Sequence, residues 1–199
     1  MNAFSSRTAI ASRRPSAVVM VLLVGLGGCS AGGAADGGAS LDAPVPEATA
    51  LCDSPEFPPV QFGSHLIGDA EPPVPYSSTP PTSGWHASGG FQIVVQPTDQ
   101  PLRESVQVSI EEAGAVVVTY RDVADADRQR LEEAVQTRYP GRVAVTPYDG
   151  LGSGEVVLAG YGVLQRCDGV DLGALDAFVA VYAAEEPAVP GADTTPRGG

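Results

Sequence analysis

The seven residues Pro80-Pro81-Thr82-Ser83-Gly84-Trp85-His86 restrict the fold more than any other stretch of this chain. Two prolines fix φ and remove two backbone donors, Gly84 permits a positive φ, and the Thr and Ser hydroxyls can close local turns. A helix or a central strand is excluded there. The expectation is a structured loop that holds the only tryptophan beside one of two histidines. Structural roles are expected for Pro80, Pro81, Thr82, Ser83, Gly84 and Trp85.

The chain opens with an export pattern. Arg7, Arg13 and Arg14 precede an apolar run over residues 17–25, too short for a permanent span. Leu26-Gly27-Gly28-Cys29 follows directly and resembles a bacterial lipobox. Residues 1–28 are therefore expected to be a lipoprotein signal peptide, with Cys29 the acylated first residue of the mature protein. Residues 29–50 are rich in Gly, Ala, Ser and Pro and fit a flexible tether. The implied location is the outward face of a cell membrane, held by lipid.

With Cys29 assigned to lipid, Cys52 and Cys167 remain. An even pair in an exported chain favours a disulfide, with free thiols or a metal pair as the alternative. Residues 51–184 are long enough for one domain with a core, and residues 185–199 read as a disordered polar tail. The formal charge is −13, and loss of the three signal-peptide arginines makes it more negative still. No basic cluster is left to neutralise phosphates, so nucleic acid is not an expected partner.

Residues 53–79 are proline-rich and read as extended segments wrapped over a surface. Strands are expected at 91–96, at 104–111 from the alternation of Val106, Val108 and Ile110, and at 115–120, with Gly114 as a bulge. A helix is expected over 125–139, started by Asp125 or Asp127 and ended by Pro140-Gly141. Residues 142–147 read as a strand, 149–154 as a turn, and 155–166 as a strand bent at its glycines. Asp171 is expected to cap a final helix. From the strand at 104–111 onward the core order β-β-α-β-β-α implies an α+β fold: a mainly antiparallel sheet with two helices on one face, for which a ferredoxin-like layout is one solution.

Tyr76-Ser77-Ser78-Thr79-Pro80-Pro81-Thr82-Ser83-Gly84-Trp85-His86 resembles the Y-N-x-N-P-P-T-S-G-P-H-Y pattern of a bacterial domain of unknown function, number 3105. His65 falls at that family's upstream histidine, and Glu112, Gly114, Thr119 and Tyr120 fall within its middle motif. The family's H-x-L-E-H-G is degenerate here, because Ser109 and Ala113 stand where it has histidines. Gly160-Tyr161-Gly162 replaces its A-W-G-like segment. Histidines on separate segments imply a copper or zinc site in the family. In this chain that leaves His65, His86 and Glu112 as a candidate open metal site.

Two functions follow. The leading expectation is a non-catalytic, lipid-anchored module that binds a protein or small ligand by its surface and carries no cofactor. The alternative is a copper- or zinc-binding protein, or a metal-dependent redox enzyme, with a partial histidine site. Ser83 and His86 as nucleophile and base lack an orienting acid, so no catalytic residue is assigned. Gly150 to Gly154 joins two expected strands and reads as a hairpin turn, not a phosphate loop.

Overall fold

The computed structural model describes residues 46–185. The signal peptide, Cys29, most of the expected tether and nearly all of the expected tail lie outside them. Among the described residues, no helix is long and apolar enough to cross a membrane.

The elements run β1 (His65–Leu66), β2 (His86–Ala87), α1 (Glu104–Glu112), β3 (Val116–Tyr120), α2 (Asp125–Arg138), β4 (Val143–Pro147), β5 (Val156–Gly160), β6 (Val163–Cys167) and α3 (Leu172–Tyr182). The last four strands form one sheet in the order β4-β3-β5-β6. β3 and β4 are parallel and α2 joins them, whereas β3–β5 and β5–β6 are antiparallel. The fold is α+β, with a mixed sheet. From α1 onward the order is α-β-α-β-β-β-α, which differs from the β-α-β-β-α-β of a ferredoxin-like layout.

Side chains alternate across the sheet and build two layers of core. Val116, Val118, Val143, Val145, Val156 and Leu158 meet Leu131 and Val135 of α2 and Leu175, Phe178 and Val179 of α3. Those two helices share one face, as expected. The opposite parity, Val117 and Ala144, packs against Ile110 of α1. Asp171 caps α3 by accepting from Gly173 N and Ala174 N at 2.9 and 3.0 Å, and a bond from the Thr49 hydroxyl first, then these two, hold its carboxyl below the usual range. The start of α2 differs: Ala124 is its N-cap, and Asp125 and Asp127 lie in the first turn without capping it.

Four expectations differ from the structure. Residues 104–111 are a helix, not a strand. α1 is buried on several sides, including Gln107, Ser109 and Glu111, so apolar alternation along it reports no single exposed face. Gly114 is not a bulge. It ends α1 at φ +81°, with Gly114 N–H bonded to Glu111 O and Ala115 N–H to Ile110 O, the two bonds of a Schellman stop. Residues 91–96 reduce to one parallel bridge, Val95 to Val145. Residues 155–166 are a hairpin, β5 and β6, turned at Tyr161-Gly162 with Gly162 at φ +73°.

The proline-rich segment closes the β6 edge of the sheet. Cys52 pairs with Cys167 and Glu56 with Leu164, both antiparallel. Cys52 and Cys167 are joined by a disulfide across 115 residues.

Candidate functional site

The Pro80–His86 loop sits on the α1 side of the sheet. Residues 80–84 are buried, and Thr82 and Ser83 are fully enclosed. Gly162 N–H donates to Thr82 O (2.8 Å), and Arg166 of β6 donates to Thr79 O (2.7 Å). Gln61 clasps both sides of the loop. Its backbone N–H donates to Ser83 Oγ, its Nε2 donates to Pro75 O, and its Oε1 accepts from Ser77 N–H. The Tyr76 hydroxyl donates to Trp85 O at 2.7 Å. Burial first, and then the charges of Glu104, Glu71 and Glu111, push the Tyr76 phenol up to about 12, so it stays a donor. The loop's enclosed part is thus Pro80 to Gly84, while Trp85 and His86 are half-buried at its rim.

Rim position is what makes His86 available. β1 and β2 are two parallel residues each, in the register His65↔His86 and Leu66↔Ala87. Partners opposite each other in a ladder project to the same face. The two imidazoles accordingly meet edge to face, with ring centroids 4.4 Å apart and planes at 76°. His65 is exposed. Ser109 of α1 lies 3.2 Å from Ala87 O and ties the helix to β2.

The end of α1 supplies the carboxylates. Glu112 Oε2 lies 3.2 Å from His86 Nδ1, with the two side chains 25% and 14% exposed. Gly84 O lies 3.0 Å from the same nitrogen. A carbonyl oxygen only accepts, so Nδ1 carries the proton, and the lone pair of the neutral ring is on Nε2. Burial raises the Glu112 carboxyl, and the two histidines offset only part of that rise. Glu112 also reaches outward. Burial first, and then its charge, raise the phenol of Tyr161 in the β5–β6 turn.

Glu111 has no such partners. It is buried, neither carboxyl oxygen has a hydrogen-bond partner among the described residues, and burial with the charge of Glu112 drives its acidity well down. Burial in that setting disfavours the charged form of the carboxyl.

The structure therefore brings His65, His86 and Glu112 together from three elements. The remaining expected site pair, Cys52 and Cys167, lies at the β6 edge. Among the described residues no group of three or more His, Cys, Asp or Glu is arranged to hold a metal ion. Glu112 faces the nitrogen that already bears a proton, and so serves as an acceptor. Sequence reasoning missed Glu111, Gln61 and Tyr76. Glu111 was hidden by the strand reading, which sends neighbours to opposite sides, whereas helix neighbours stand about 100° apart. Gln61 stands in no motif, and Tyr76 opens the loop motif without that pattern showing where its hydroxyl bonds.

A sequence profile for a family described as a protein of unknown function (DUF3105) matches residues 69–197. No curated protein and no solved structure matches the chain.

Proposed function

The chain belongs to that family of unknown function, DUF3105, and from this premise we propose that it is a lipid-anchored, outward-facing module that binds another polypeptide and catalyses nothing. The observation that carries the reading is the arm before the loop. Phe57, Val60, Phe62, Ile67 and Val74 are all exposed, with Phe62 98% and Ile67 84% open. Five large apolar side chains exposed within 18 residues are a surface that pays a solvation cost when nothing covers it.

The arm is not loose chain. The disulfide, the Glu56–Leu164 pair and the Gln61 clasp hold its backbone in place, so its apolar side chains are displayed at little further entropic cost on binding. A polypeptide fits better than a lipid surface, because a chain of charge −13 is repelled by anionic headgroups. A disulfide and a Cys29 anchor both suit the oxidising side of the membrane.

The test is photo-crosslinking in intact cells, with a photoreactive residue at position 62 or 67 and a control at Gln136 on α2. The expected result is one discrete protein adduct from 62 and 67 and none from 136. That adduct should disappear in Cys29→Ser, which releases the protein from the membrane. Adducts to lipid alone, or the same adducts from all three positions, would contradict the proposal.

A further inference from the structure

We propose that His65 and His86 form a two-imidazole site for one divalent transition cation, with Glu112 as its positioning carboxylate. This goes beyond the partner-binding reading, and its readout is metal binding by the isolated protein, so either can fail without the other.

Two observations converge. The ladder register His65↔His86 puts the two rings on one face, 4.4 Å between centroids. A cation bound by two nitrogens at roughly 2 Å each needs ligands this close. The His86 Nδ1 proton is committed to Gly84 O at 3.0 Å and Glu112 Oε2 at 3.2 Å, which leaves Nε2 as an open donor. Metal-ligating histidines are commonly fixed in this way, with the second ring N–H given to a carboxylate or a backbone carbonyl.

The chemistry of the donors sets the ligand class. Imidazole nitrogen selects zinc or copper over calcium or magnesium, which take oxygen. Two protein ligands leave the other coordination positions to water or to an incoming ligand. Binding is therefore expected to be exchangeable and weaker than at a closed four-ligand site. Glu112 acts through His86, and this explains why the three residues adjoin without forming a three-ligand group.

Titration of the untagged mature protein with Zn2+ alone, followed by calorimetry, tests the site. One equivalent is expected to bind saturably. His65→Ala, at an exposed position, should abolish that equivalent, and so should His86→Gln. Glu112→Gln should keep the stoichiometry and weaken binding about 10- to 100-fold, since it leaves both ligands but loosens the ring. Three results would overturn the assignment: no saturable equivalent in the wild type, unchanged binding in His65→Ala, or complete loss in Glu112→Gln. The last would make Glu112 a ligand.

Discussion

Replacing both Cys52 and Cys167 by serine is expected to lower the unfolding free energy by about 4–5 kcal/mol, the chain-entropy value for a loop of this length. The bond closes 115 residues, almost the whole folded chain. Both cysteines are enclosed in the larger core cluster, so serine also places two hydroxyls in an apolar setting. Neighbouring backbone bonds, Asp53 N–H to Arg166 O and Asp168 N–H to Leu51 O, hold the same crossing point and limit the damage in the folded state. The main effect is consequently on the unfolded chain. Urea unfolding of the oxidised wild type and the double variant reads it directly. A difference under about 1 kcal/mol would mean that the bond adds little to what the edge pairing already provides.

Gly63→Ala is expected to cost about 3 kcal/mol or more, at the upper end of overpacking substitutions. A Cβ at Gly63 would sit 2.1 Å from Gly84 C, 2.2 Å from Gly84 O and 2.3 Å from Trp85 N. All three are backbone atoms of the loop, so no side chain can turn aside to make room. The arm and the loop would have to separate, two residues before β1 and two before β2. Gly68→Ala is the contrast. That glycine has φ +62° but nothing within 4 Å of a new Cβ. It should cost only the left-handed penalty, about 1–2 kcal/mol. Thermal unfolding of the two variants, with amide protection at Ser88, whose N–H bonds to Leu66 O, separates the cases. Equal stability of Gly63→Ala and wild type would show that arm and loop do not meet as described.

How far the sequence could be read follows from which signals were local. Asp171, the run of valines at 116–118 and the Leu131, Ala134 and Val135 spacing each report one element through short-range chemistry, and each appears where expected. The disulfide was legible because only two cysteines remained to be paired. α1 was not legible. A helix between a sheet and a loop has no exposed stripe, so Val106, Val108 and Ile110 imitate a strand, and only the glycine stop at 114 signals otherwise. The parallel β3–β4 pairing was equally hidden, since pairing direction is a tertiary property of the α2 crossover.

At the site, the residue types were readable and their roles were not. His65, His86 and Glu112 could be named, but Glu112 looked like a ligand until its distance to His86 Nδ1 was known. The clasp of Gln61 across the loop has no sequence signature, because it depends on chain segments 14 to 22 residues apart.

Ring-nitrogen NMR of His86 in the metal-free mature protein, at a pH where the imidazole is neutral, tests most directly how the arm, the loop and α1 present this side chain. The geometry predicts a protonated Nδ1 and an unprotonated Nε2, with Glu112→Gln reducing the share of that tautomer. A neutral ring found with its proton on Nε2 would contradict it, because Nδ1 could then donate neither to Gly84 O nor to Glu112.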